Sequence, residues 1–541
     1  MKKLQKMIVL AVAAAMSISL LAGCGGSSSG GAEAAAPAES AGTEQAAEAA
    51  APAGGGNGVL DVGFGYAIDS MTPFRSNTGR DQYVFKLMYE QLGVFDENQK
   101  LQPWVAKSWS TEDNLIYSVE IWDNVMDSAG NHITADDIVW FIEESIARGL
   151  KPCFSKIASV EKTGDYSFTM TMSMDQIGAF DTVMSDIFVI SKAAFEASAD
   201  EFATSFVSTS MYSCTDFQAS SVISFEKRAD YWQDPANLPA CVNFVADKVC
   251  YHYIGEASQM GIALETNVID VAVQMDLTTA VQYVDNSEYT VEQVPGNQGW
   301  TMFFSGADSR NISSDVNLCK AIATAIDNEA MITALCSGYG VVMADVCSPK
   351  HIGYNPEWEN NLYYTYDPEK AKEYLAASNY NGEELVILCG SSTMLTRMAQ
   401  MIQGYCDQVG IKIKINSVDA AQLTAIRLDG NQYDMFINTI GGAYCADHWA
   451  IRYDPAAYEL GDGTARHDTT LGEMLYKTWT VDGYTTENIN AVHDYILENG
   501  IAYGLIDPTT FCVWRNASGM TNEVKEYAGY INPACSTWTN Y

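Results

Sequence analysis

The chain has 541 residues, a formal net charge of −38 and 48% apolar residues. That length exceeds what one hydrophobic core supports, so two or three domains are expected. Nucleic acid is excluded as a partner, because binding it needs concentrated basic charge. No apolar run after the first 24 residues is long enough to cross a bilayer.

The chain opens with MKKLQKMIVLAVAAAMSISLLAGC. Lys2, Lys3 and Lys6 precede an apolar run from Met7 to Leu21. The run is short for a membrane span and fits a secretory signal peptide over residues 1–23. Leu21, Ala22 and Gly23 before Cys24 resemble a bacterial lipobox, so Cys24 is expected to carry a lipid anchor in the membrane. Residues 24–58 hold that cysteine and a tether of Gly, Ser, Ala, Pro and Glu, with no aromatic residue. Such a segment cannot bury enough surface to offset its ordering entropy. As a flexible coil it reaches roughly 30–35 Å. The expected location is the outer face of the cell membrane, extracellular or periplasmic.

In the body, VLDVGFGY alternates as a strand and ends in glycine. YSVEIW and SFTMTM are strand-like, with period-two alternation. Between them, ITADDIVWFIEESI has helical spacing, with Thr134 as cap and Asp137 three residues on. SDVNLCKAIATAIDNEAMITAL reads as one longer helix. YDPEKAKEYLAAS begins another, with Asp367 as cap and Pro368 at the first helical position. ELVILCG, IKIKINS and YDMFINTI are expected strands, each beside a helical segment, which argues for α/β layers.

Twelve cysteines follow Cys24, with no CxxC pair. They read mostly as small buried hydrophobes. The six histidines form no HxxxH or HExxH pattern, so neither a metal site nor a cofactor is expected. The stretch GGAYCADHW follows the carboxyl end of the YDMFINTI strand, where open α/β sheets bind ligands. It places Tyr444, Cys445, Asp447, His448 and Trp449 together as a candidate ligand-contacting loop, with Gly441 and Gly442 allowing a sharp turn. The residues alone leave three uses open for Asp447: gripping a ligand, capping a following turn or helix, or binding a metal.

Several segments resemble one family together and in order. LQPWVAKSWSTEDNLIYSVEIWDNVMDSAGNHITADDIVWFIEES is similar to the early segment of family 5 extracellular solute-binding proteins, the peptide-, nickel- and oligosaccharide-binding lipoproteins of ABC importers. FEKRADYWQDP, VNLCKAIATAIDNEAMI, YDPEKAKEYLAAS and DQVGIKIKI resemble later segments of that family. The resemblance runs from about residue 60 to the C-terminus. It implies a two-lobe α/β fold of the type II periplasmic-binding-protein kind, with an extra subdomain in the first lobe. The implied division gives lobe I residues 59–95 and 206–310, with the subdomain at 96–205. Lobe II takes 311–500, and 501–541 returns to lobe I.

The resemblance further implies a receptor, expected as a monomer, that closes on a peptide and delivers it to ABC permease subunits. In peptide binders of the family, an aspartate in a GW.(A/G)D loop pairs with the peptide α-amine. AYCADHW aligns with that loop, so Asp447 would be the amine clamp and Tyr444 would stand where the family has Trp. Trp300, in a segment resembling the hinge strand, would either line the cleft or pack in the core. Two departures matter. The family's GTGPY turn is here STSMY, Ser208 to Tyr212. The arginine with which dipeptide binders hold a carboxylate has no counterpart, since Arg397 falls inside a helix, so a longer peptide is expected. An oligosaccharide or a metal chelate is the alternative ligand. A secreted hydrolase is a remote alternative, because neither GxSxG nor HExxH occurs.

Overall fold

The computed structural model describes residues 58–75, 82–294, 299–439, 444–453 and 468–540. Cys24, the signal segment, the tether before residue 58 and the Gly441–Gly442 turn lie outside the described residues.

Two mixed sheets organise the body. The seven-stranded sheet runs in the order Tyr289–Val294, Thr510–Arg515, Val271–Met275, Val59–Phe64, Lys248–Tyr253, Val222–Lys227 and Tyr212–Gln218. Its central strand, Val59–Phe64, pairs in parallel with both neighbours, and the outer pairs are antiparallel. Leu60, Val62 and Phe64 alternate into the core, as the period-two pattern requires. The six-stranded sheet runs Gly340–Val342, Ala502–Pro508, Trp300–Phe304, Met435–Thr439, Glu384–Gly390 and Lys412–Val418. Its strands Glu384–Gly390, Lys412–Val418 and Met435–Thr439 are parallel, and helix Thr393–Val409 connects the first two.

The chain passes between the sheets twice. It leaves the first sheet after Val294 and enters the second at Trp300. It returns through Thr509, between strands Ala502–Pro508 and Thr510–Arg515. Each sheet has its own hydrophobic core, one centred on residues such as Val62, Phe85 and Trp104, the other on Ile322, Ile387 and Met435. The fold is thus two-lobed, as the sequence implied.

A four-stranded antiparallel sheet stands on the first lobe, in the order Ala106–Thr111, Ile116–Ile121, Ser167–Met172 and Ile157–Gly164. Helix Ala135–Arg148 packs against it, burying Ile138, Phe141 and Ile142. Its start carries the expected box: the Thr134 backbone N–H donates to the Asp137 carboxylate at 2.9 Å. The Asp367 cap is also present, accepting from the Lys370 N–H.

One expected helix is two. Residues 316–336 form Val316–Ala325 and Asn328–Cys336, broken at Ile326, whose backbone is extended. Asp327 causes the restart by accepting from the Ala330 N–H. Among the described residues, no helix is long and apolar enough to cross a membrane.

Candidate functional site

Strand Met435–Thr439 points toward the junction of the lobes, and Tyr444 follows as the next described residue. Tyr444 bridges in parallel to Ile352, and the Cys445 N–H donates to the Ile352 carbonyl at 3.1 Å. From there the chain is helical, Cys445–Tyr453, so the expected loop is a helix from Cys445 onward. The reason is the spacing of its apolar side chains. Cys445, Trp449 and Tyr453 fall four apart, and all three are buried in one lobe II cluster.

That helix sorts the five candidates. Cys445, His448 and Trp449 turn inward, with 0%, 1% and 0% of their surface exposed. The Cys445 thiol lies 3.2 Å from that of Cys347, and burial pushes both thiols up. His448 packs its ring against His351 at 4.9 Å. Behind them, His493 Nδ1 lies 3.1 Å from Asp345, and Trp358 stacks on the His493 ring. Among the described residues, no three His, Cys, Asp or Glu side chains are grouped to hold a metal ion.

Tyr444 and Asp447 turn the other way, toward the four-stranded subdomain of lobe I. Gln176 Nε2 donates to Asp447 Oδ1 at 3.0 Å. Lys156 Nζ lies 3.5 Å from the same oxygen. Burial raises the Asp447 pKa, and the Lys156 charge and the Gln176 hydrogen bond oppose that rise. The Tyr444 hydroxyl donates to Asp181 Oδ2 at 3.3 Å. Burial likewise raises Asp181, against the Tyr444 hydrogen bond. The Tyr444 ring lies over Gly178, whose φ is +72°, and a Cβ there would meet the ring at 2.1 Å. Only glycine satisfies both the backbone conformation and that approach. The Ile177 N–H donates to the Trp479 carbonyl at 2.6 Å, completing the junction.

Trp300 begins its strand, paired with Thr439 and Ile506, and packs half-buried against the lobe II core. No contact brings it to Asp447 among those described. Lys156, Gln176, Gly178 and Asp181 went unnoticed in the sequence. They sit in a short 3-10 turn, a connecting loop and a helix start, where no local pattern marks them.

The arrangement is a partly desolvated carboxylate between two lobes, facing amide and ammonium donors. It can hold a cation.

Known proteins share this fold. The profile of the bacterial extracellular solute-binding proteins, family 5 middle region, matches residues 100–454. Heme-binding protein A of Haemophilus influenzae is 24% identical over 361 residues, covering 60% of this chain and 63% of that protein. The glutathione-binding protein GsiB of Escherichia coli O1:K1 / APEC is 23% identical over 373 residues, covering 67% and 70%. The chain thus aligns with about two thirds of the length of these relatives. A dipeptide-binding protein of Pseudoalteromonas sp. SM9913, solved with Met-Leu, superposes with a TM-score of 0.72 at 16% identity, covering 89% of this chain and all of that one.

Proposed function

Because the chain belongs to the family 5 bacterial extracellular solute-binding proteins, we propose that it is a peptide receptor of an ABC importer. It captures a peptide with an α-amine between its two lobes and hands it to the permease. Cys24 holds it to the membrane through a lipid, and the tether leaves the body able to move. The receptor catalyses no reaction.

The observation that carries this reading is the direction of Asp447. Its neighbours Cys445, His448 and Trp449 are consumed by the core, while its own carboxylate faces the opposite lobe and meets an ammonium there. An ammonium on a half-dry carboxylate gains a charge-assisted hydrogen bond. Tyr444 supports the same face from the preceding position. Peptide main chain can pair with exposed strand edges, which gives affinity with little sequence preference. The dipeptide-binding and glutathione-binding likenesses support a peptide over a sugar.

Calorimetry with one tetrapeptide, free and N-acetylated, tests this. The free form is expected to bind and the acetylated form to bind far more weakly. Asp447→Asn is expected to weaken the free form by roughly 10- to 100-fold, the effect of losing one charge-assisted bond. Equal affinity for both forms would refute the amine clamp. Recovery of a sugar or a metal chelate from the purified protein, by native mass spectrometry, would replace the peptide.

A further inference from the structure

Two thiols meet on the inner side of the helix that carries Asp447. Cys347 Sγ lies 3.2 Å from Cys445 Sγ, although 98 positions separate the residues along the chain. Both side chains are fully buried, and both belong to one lobe II cluster. Cys445 opens helix Cys445–Tyr453, two residues before Asp447. Cys347 sits in the segment that leaves the edge strand Gly340–Val342.

Backbone bonds hold the two segments side by side, so the meeting does not depend on side-chain rotation alone. Tyr444 bridges to Ile352, and the Cys445 N–H donates to the Ile352 carbonyl at 3.1 Å. In the Cys347 segment, Ser348 Oγ donates to Asp507 Oδ2 at 2.9 Å, in the crossing strand Ala502–Pro508. The Lys350 carbonyl accepts from Gln99 Nε2 of lobe I. The segment thus touches the crossing, the first lobe and the Asp447 helix. A disulfide needs an S–S separation of about 2.05 Å, so the sulfurs must close by roughly 1.2 Å. A small rotation about each Cα–Cβ bond can supply that. Cys347 Sγ also lies 3.4 Å from Asp345 Oδ2. If that thiol proton leaves, Asp345 still has His493 Nδ1 at 3.1 Å. The family is extracellular, and disulfides persist outside the cell.

We propose that Cys347 and Cys445 form a disulfide in the mature protein, a buried staple that fixes the start of the Asp447 helix to the segment beside the crossing. The reaction removes two electrons and two protons from the thiol pair. An external disulfide, either a small molecule or an oxidised dithiol protein, accepts them and is released as two thiols. One cysteine thiolate attacks that disulfide, and the other resolves the mixed disulfide. Burial raises both thiols and bars reagents from them in the folded chain. The bond therefore forms while lobe II is still folding and is inert afterwards. Because both sulfurs lie in one lobe, the staple stiffens that lobe and leaves lobe closure free.

The test compares two forms of the unmutated full chain. Reduced, unfolded protein is refolded with cystamine and cysteamine, or with cysteamine alone. Each product is alkylated under denaturing conditions without reduction, digested and read by mass spectrometry. The first is expected to yield a peptide pair joined through Cys347 and Cys445. Its thermal midpoint is expected to lie at least about 5 °C above that of the second. Cys347→Ser and Cys445→Ser are each expected to lose that gain and to leave the surviving cysteine alkylated. Should either serine variant fail to fold, the two forms of the parent chain still decide the question. Dithiothreitol is expected to spare the bond in the folded chain and to open it in urea. Three results overturn the staple: alkylation of both cysteines after oxidative refolding, a bond from either to another cysteine, or opening by dithiothreitol without urea.

Discussion

Glu90 is fully buried in lobe I, and two aromatic side chains hold its carboxyl group. The Tyr231 hydroxyl donates to one carboxyl oxygen, and Trp232 Nε1 donates to the other at 2.8 Å. Burial outweighs these bonds and pushes its pKa up to about 8. The folded chain therefore keeps a proton on Glu90 where the unfolded chain, with a pKa near 4.3, has lost it. This contribution to stability is full below the unfolded pKa and is lost as pH climbs to about 8. Urea unfolding at pH 5 and pH 8 should show Glu90→Gln losing up to about 4 kcal/mol less than the parent chain across that interval. Parallel losses would place the titrating group elsewhere. Tyr231 and Trp232 lie in the FEKRADYWQDP segment that resembles the family, and their bonds to Glu90 tie that segment to the core. Asp447 was legible because its neighbours form a compact motif. Lys156 and Gln176 were not, because they meet Asp447 from far along the chain, Gln176 across 271 positions. Residue type also misled: Cys445 and His448 invite chemistry, yet helical spacing puts both in the core.

Helix starts were the best-marked elements, since one side chain and its third neighbour suffice to specify them. Asp367→Ala removes the acceptor of the Lys370 N–H and should lower stability by about 1 kcal/mol. Urea unfolding measures it, and an unchanged midpoint would show that water replaces the cap without cost. The break at Ile326 escaped notice because apolar periodicity continues through it, while Asp327 ends one helix by starting the next. The STSMY segment shows the opposite case. Its missing glycines suggested an altered loop, and the structure explains how hydroxyls hold the segment. Ser208, Thr209 and Ser210 donate to the carbonyls of Met88, Val189 and Lys86 at 2.8, 2.7 and 2.8 Å. No positive φ occurs from Ser208 to Tyr212, so that backbone does not need glycine.

At the scale of the molecule, two crossings join the lobes, and the Asp447 and Tyr444 contacts bridge them on the cleft side. A compact body of this length has a radius of gyration of roughly 23 Å. Replacing Lys156, Gln176 and Tyr444 together by alanine should raise the radius measured by X-ray scattering, because their side-chain contacts across the junction are lost while both cores remain. An unchanged radius would show that the crossings alone set the lobe spacing. The fold class was legible because strands alternate with helices. The meeting of the subdomain with helix Cys445–Tyr453 was not, since it is a contact between surfaces and leaves no local pattern.

The placement of the chain ends has a mechanical consequence. Leu60 and Trp538 lie in the same hydrophobic cluster, so the first described strand and the last stretch of chain belong to one lobe. Whatever grips the chain ahead of residue 58 therefore grips that lobe. If the proposed attachment holds, that lobe is the anvil on the tethered side, and the six-stranded lobe carrying Asp447 is the jaw that would swing against it. Under the proposed receptor reading, opening would be a displacement of Asp447 away from Lys156 and Gln176.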